Sequence, residues 1–140
     1  LERRCFKMKI WVNGTFDVLH RGHIELLRYS SGWGSVRVGI DHDERIKKFK
    51  GESRPVNKFK DRKFLLESIQ YVNSVVGFNS DEELEQQIKE WRAEVMVIGS
   101  DYKDKKIIGS HLFKKIIYFD RIVDYSSTKI IEHEKNISNR

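Results

Sequence analysis

Two histidines, His20 and His23, flank Gly22 in the stretch Gly14-Thr15-Phe16-Asp17-Val18-Leu19-His20-Arg21-Gly22-His23. Residues 8–13 before it read as a strand, and the apolar spacing after it reads as a helix from about Gly22 to Tyr29. Gly14 lets the backbone turn sharply and come close to a ligand. A helix start offers unpaired N–H groups and the positive end of a dipole, which suits a phosphate. Imidazoles beside it can donate to phosphate oxygens, and a partly cationic ring could stabilise charge that builds up in a transition state. Ser126, Ser127 and Thr128 repeat the logic near the C-terminus, with three hydroxyls at the start of a helix over 129–135. Lys47, Lys48, Lys50, Arg54 and Arg121 could add positive charge. Two phosphate-binding helix starts on one sheet edge suggest a polyphosphate lying between them.

Other chemistries fit less well. A zinc site needs a third protein ligand, and neither Asp17 nor Asp43 lies at a zinc spacing from the histidines. Neither G-x-G-x-x-G nor G-x-x-x-x-G-K-[ST] follows the first strand, and no G-x-S-x-G elbow occurs. Cys5, the single cysteine, lies upstream of the first strand and cannot form an internal disulfide. Structural histidines satisfied by nearby backbone are the bland alternative, and a pair set at a turn with two glycines weakens it.

The elements that must position these residues alternate. Strands are expected over 8–14, 35–41, 74–78, 95–99 and 115–119, and helices over 22–29, 58–72, 81–92 and 129–135. A short basic turn is expected over 45–50, a loop over 51–57 around the only proline, and a polar loop over 100–110. Ser80 followed by Asp81, Glu82 and Glu83 is a helix start with its carboxylates at the favourable dipole end. Residues 95–99 are apolar throughout, as a buried parallel strand should be. Alternating strands and helices predict an α/β fold: a doubly wound, five-stranded parallel sheet with helices on both faces. Ligands then bind at the carboxyl ends of the strands, where the strand order reverses.

Composition sets the frame. With 140 residues, 39% hydrophobic and 34% charged, one soluble domain over 1–140 is expected, with ends at 1–7 and 136–140 left loose. No window approaches the roughly 18 uninterrupted apolar residues of a membrane helix, and no secretory signal is seen, so the cytosol is the expected compartment. The 27 basic and 21 acidic residues leave a net charge of +6, which suits a polyanionic partner without naming it.

The 14–23 stretch resembles the T-x-x-x-H-x-G-H signature of the nucleotidyltransferase superfamily, in particular its cytidylyltransferase-like family, and Ser126-Ser127-Thr128-Lys129-Ile130 resembles the second signature, S-[ST]-T-x-[IK]. The resemblance covers roughly residues 8–134 and implies a Rossmann-like fold. Two branches stay open. Residues 62–72, and Arg121 five residues before Ser126, resemble the glycerol-3-phosphate cytidylyltransferases, although their R-T-E-G-I-S-T-T reads RIVDYSST here. Residues 50–57 (KGESRPVN), 99–103 and 108–110 resemble the heptose-1-phosphate adenylyltransferases. Arg121 beside the second motif tips the expectation slightly towards CTP.

The resemblance implies transfer of a nucleotidyl group from a nucleoside triphosphate, with Mg²⁺, to a small phosphorylated acceptor such as glycerol 3-phosphate or a heptose 1-phosphate, with release of pyrophosphate. His20, His23, Lys50 and Thr128 would be catalytic. Gly14, Thr15, Phe16, Gly22, Gly99, Asp101, Arg121, Ser126 and Ser127 would bind nucleotide. Asp17, Asp43 and Arg62 would meet the acceptor or, for Arg62, a subunit interface. No metal-binding side chains are assigned. A cytoplasmic homodimer with no nucleic-acid or membrane partner is implied, and both branches lead to cell-envelope precursors. The alternative of another class is a nucleotide- or RNA-binding module without catalysis.

Overall fold

The computed structural model describes residues 8–120 and Ile131. The elements run β1 (Met8–Gly14), α1 (Arg21–Ser31), β2 (Gly34–Asp41), α2 (Asp43–Lys50), α3 (Phe59–Glu67), β3 (Ser74–Phe78), α4 (Asp81–Trp91), β4 (Val95–Gly99) and β5 (Lys115–Phe119). The five strands are parallel, in the order β3-β2-β1-β4-β5. After β1 the chain winds outwards through β2 and β3, then crosses back to β4 on the other side. The expected α/β fold is therefore present, and its switch point lies between β1 and β4.

Strand geometry divides the core in two, because successive side chains point to opposite faces. Ile10 and Val12 of β1 pack with Val36, Val38, Val97, Leu27 of α1 and Leu66 of α3. Trp11, between them, packs on the opposite face with Met96 and with Leu84 and Ile88 of α4. Val95, Met96 and Val97 are all buried, as the apolar run over 95–99 requires.

Local sequence explains where the elements differ from expectation. The basic turn over 45–50 is a helix, α2: Asp43 and Glu44 stand in its first turn and Lys47, Lys48 and Lys50 in its last, the charge order the helix dipole favours. The helix expected over 58–72 ends at Glu67, where Ser68 turns its hydroxyl back on the Phe64 carbonyl. Asn73 then fixes the entry to β3 by accepting from Val36 N–H through its side chain and donating its own N–H to Val36 O. The polar loop over 100–110 contains a 3₁₀ turn at Ser100–Tyr102, and a second turn, Ser110–Leu112, follows it. Ser80 caps α4 by accepting from Glu83 N–H at 3.1 Å. Of the helix expected over 129–135, all but Ile131, which is helical, lies outside the described residues.

Gly39 shows how closely the sheet and its neighbours fit: a Cβ there would lie 2.5 Å from Cζ2 of Trp11, itself fully buried. We expect Gly39→Ala to destabilise the fold by about 1–3 kcal/mol, as overpacking of a close-packed interior does. Urea unfolding of the variant against the parent measures this.

Candidate active site

A cavity of about 440 Å³ opens at the switch point, lined by the ends of β1 and β4, the loop after β1, the start of α1, Asp41, Lys50, Arg54, Tyr102 and Phe119. Gly14, Thr15, Phe16, Asp17, His20, Gly22, His23, Lys50 and Gly99 all line it. The residues expected at the site from three separated segments are thus brought to one place.

At the head of α1, His20 is the N-cap and His23 the third helical residue. Gly22 N–H donates to His20 Nδ1 at 3.1 Å, and His20 N–H donates to His23 Nδ1 at 3.2 Å. This is a capping box in which two imidazoles take the places of the usual hydroxyl and carboxylate. Two consequences follow. The Gly22 amide serves the cap, so the helix start presents imidazoles where the sequence suggested a bare amide. Each Nδ1 accepts, so each ring is the neutral tautomer with its hydrogen on Nε2, as assigned from these hydrogen bonds. A cationic ring, the other option raised by the sequence, would remove one half of the box. The rings stack with centroids 3.8 Å apart, and Phe16 sits 5.0 Å from His23.

Phe16 holds this corner at a backbone φ of 49°, in the left-handed region that a bulky residue rarely occupies. Its side chain is buried in the core, which anchors the turn. A Cβ on Gly14 would lie 3.1 Å from the Phe16 ring, so the first glycine gives room to that ring.

Asp17 is placed differently from an acceptor ligand. It is 1% exposed, and its carboxylate accepts from Arg54 Nε, Val56 N–H and Asn57 N–H, each at 2.9 Å. Asn57 Nδ2 also donates to the Asp17 carbonyl at 2.7 Å. Burial alone would raise the carboxyl pKa; the Asn57 and Val56 amides and the Arg54 guanidinium outweigh it and hold it below the ordinary aspartate range.

Arg62 and Asp43 also stand behind the cavity wall. Arg62 is 1% exposed and donates to Asn57 O at 2.9 Å, Thr15 O at 3.0 Å and Asp43 Oδ1 at 2.7 Å. The same Asp43 oxygen accepts from Phe59 N–H. One guanidinium therefore ties together the loop after β1, the 51–57 loop and the starts of α2 and α3. Acceptor contact by this pair would break a buried network, and neither residue lines the cavity.

Lys50 lines the cavity, whereas Lys47 pairs with Glu44 at 3.7 Å. Burial, then the neighbouring Arg54 charge, push the Lys50 ammonium below the ordinary lysine range against the upward pull of Asp41 and Asp17. Asp41, not singled out as a site residue by its sequence, accepts from Thr15 Oγ1 at 3.3 Å and from Arg45 Nε at 2.9 Å. Its place at the end of β2 was the available signal. Asp101 is exposed beside Gly99, and Tyr102 lines the cavity in its stead. Arg121, Ser126, Ser127 and Thr128 lie outside the described residues.

A switch-point crevice that gathers a histidine-capped helix start, the buried Arg54 guanidinium and the Lys50 ammonium suits phosphate chemistry, and the class it points to is nucleotidyl transfer. Residues 11–133 match the Cytidylyltransferase-like family, and the chain belongs to it. Residues 11–133 thus form a nucleotidyltransferase-like domain. Among its relatives, the Bifunctional protein HldE of Campylobacter jejuni (strain RM1221) is 39% identical over 131 residues, 93% of this chain and 28% of that protein. The Bifunctional protein HldE of Helicobacter pylori (strain J99 / ATCC 700824) is 38% identical over 140 residues, 99% of this chain and 30% of that one. The chain thus spans about three-tenths of the length of these relatives. The crystal structure of the lipopolysaccharide core biosynthesis protein from Thermoplasma volcanium GSS1 shares the fold, with a TM-score of 0.63, 20% identity, and coverage of 86% of this chain and 99% of that one. Among the described residues, no helix is long and apolar enough to cross a membrane.

The Asp17 network predicts an acid-sensitive component of stability. A carboxyl held low in the fold stabilises it above its unfolded pKa and loses that contribution as pH falls through the folded value. We expect Asp17→Asn to cost about 3–5 kcal/mol near neutrality, because it leaves Arg54 without its charge partner. The gap to the parent should narrow as pH falls below the ordinary aspartate range; urea unfolding at a series of pH values measures it.

Proposed function

We propose that the chain is the adenylyl-transferring domain of an enzyme that couples ATP to a sugar 1-phosphate of the heptose type. The observation that carries this reading is the cavity itself, where β1, α1 and the KGESRPVN segment converge, with Lys50 and Arg54 in its wall. That segment carries the resemblance to the heptose-1-phosphate adenylyltransferases, and the HldE relatives support the same branch. CTP with glycerol 3-phosphate, favoured slightly by Arg121 in the sequence, loses weight because the HldE relatives support the other branch.

The reaction is one in-line displacement. An oxygen of the acceptor's phosphate attacks the α-phosphorus of ATP, the bond from that phosphorus to the β-bridging oxygen breaks, and pyrophosphate leaves with the electron pair. The acceptor is already an anion at neutral pH, so no base is needed. The protein's work is positioning and charge stabilisation. His20 and His23 hold the triphosphate through Nε2–H donors, with their Nδ1 atoms locked by the capping box. Gly14, Thr15 and Phe16 shape the nucleotide's approach, and Gly99 closes the other side. Thr128, with Ser126, Ser127 and Arg121, would add a second phosphate contact, and Asp101 would border the base.

Mg²⁺ suits this chemistry. Among the described residues, no three His, Cys, Asp or Glu side chains stand together to hold a metal ion. The ion would therefore be held chiefly by phosphate oxygens, as Mg²⁺ often is, and would neutralise charge there. Two small charged solutes as substrates suit a cytoplasmic enzyme. A homodimer is also part of the proposal: Phe64 and Leu65 of α3 are 67% and 41% exposed, an apolar face suited to a second copy. Phe64→Glu should shift the chain to monomer in sedimentation velocity; a parent that is monomeric at micromolar concentration contradicts this.

Pyrophosphate release from ATP, CTP, GTP and UTP against heptose 1-phosphate, glucose 1-phosphate and glycerol 3-phosphate tests the reading. We expect ATP with heptose 1-phosphate to lead, and CTP with glycerol 3-phosphate leading would overturn it. His20→Ala and His23→Ala should each lower turnover roughly 100-fold or more at saturating nucleotide.

A further inference from the structure

Arg54 is 8% exposed and lines the cavity. Its Nε is spent on Asp17 at 2.9 Å. Its Nη2 is shielded from solvent and has no hydrogen-bond partner among the described residues. Such a buried donor is disfavoured unless an acceptor reaches it. An apolar wall would have been the simpler solution, and the chain instead holds a guanidinium there with a carboxylate and two backbone amides fixing its loop. Gly51 O accepts from Arg54 N–H at 3.2 Å and closes the turn that carries it. Lys50 lines the same cavity, and its ammonium is disfavoured by the Arg54 charge. Asp17 and Asp41 line the same cavity and offset much of this charge, so what the wall lacks is an acceptor for the Arg54 Nη2 donor, which an anionic oxygen entering beside Lys50 would supply.

We propose that Arg54, positioned by Asp17, is the residue that binds the acceptor's phosphate, with its Nη2 donating to a phosphoryl oxygen and Lys50 supplying the second charge. This rests on the transferase reading for the word acceptor. The assignment to that phosphate follows from the division of the cavity. In-line displacement needs two phosphate positions, one for the triphosphate and one for the attacking group. The histidine-capped start of α1 supplies one, and Arg54 with Lys50 comes from the connection after β2, a different element. A planar guanidinium with one edge tied to a carboxylate is also fixed in direction, so it selects for a phosphomonoester set at one angle. Asp17 is thereby a positioning residue: it aims the guanidinium and touches no substrate.

The test uses inorganic phosphate as the probe and the parent chain beside Arg54→Lys, which keeps a charge next to Asp17. Asp17→Asn/Arg54→Gln, which removes the buried pair together, guards against a fold lost to one uncompensated charge. Thermal unfolding confirms that each variant is folded. Phosphate is titrated calorimetrically with and without saturating Mg²⁺ and α,β-methylene-ATP, which cannot transfer its adenylyl group. We expect the parent to bind phosphate in both conditions, and each variant to bind it about 10- to 100-fold more weakly, the loss typical of a hydrogen bond to a charged group. Displacement of phosphate by the nucleotide analogue would assign Arg54 to the triphosphate and overturn the proposal; so would unchanged phosphate affinity in both variants. These results stand whether or not the parent turns over. Where it does, the acceptor KM should rise in Arg54→Lys by the same factor while the nucleotide KM stays within about twofold. A parent that transfers to no sugar phosphate contradicts the transferase reading alone, because the phosphate titration still decides the subsite.

Discussion

The buried carboxylate of Asp17 is the constraint on which the site depends. It lies just after β1, three residues before the histidine cap, and takes three donors from the 51–57 loop. It makes three of the hydrogen bonds that hold that loop against the end of β1, and it fixes the direction of Arg54. Arg62 completes the arrangement from the other side, because its guanidinium reaches the Thr15 and Asn57 carbonyls and the Asp43 carboxylate at once. Both charges are buried, and a buried charge is tolerated only when paired and hydrogen-bonded. The two together turn three stretches of chain into one rigid wall.

That wall explains why the reactive groups can be few. Nucleotidyl transfer to a phosphate needs no proton abstraction, so it places its demands on geometry and field. Each of the two imidazoles uses its Nδ1 to hold the helix start and carries its hydrogen on Nε2. The stacked rings, the Phe16 corner and the room left by Gly14 form one packed unit. A change at any of them would move the histidines as well as itself.

Much of this was legible in the sequence. The alternation of strand and helix gave the layers, and the rule that ligands sit beyond strand ends led to the loop after β1. The pair of histidines with their glycines marked the mouth of the cavity that the fold forms there. What the sequence could not reveal was direction. Asp17 and Asp43 look like acceptor ligands because they are charged and follow the first two strands, and Arg62 looks like a site or interface residue; only the fold shows all three bonded to the protein's own backbone and side chains. The α2 segment read as a turn because its basic residues dominate, although Asp43 and Glu44 at one end and lysines at the other are a helix's charge order. Arg54 was visible only as one cation among several, since the loss of a partner at Nη2 is a property of the folded wall.

The most direct test of the central claim, a single attack by the acceptor's phosphate on the α-phosphorus, is an isotope experiment. Heptose 1-phosphate labelled with oxygen-18 in its non-bridging phosphate oxygens is incubated with ATP and Mg²⁺, and the products are followed by ³¹P NMR. The account predicts a nucleoside-diphospho sugar that retains the label on the sugar-side phosphorus and in the bridge, with pyrophosphate free of label. Label appearing in pyrophosphate, or a product bridge without it, would contradict direct attack and the reading of the site built on it.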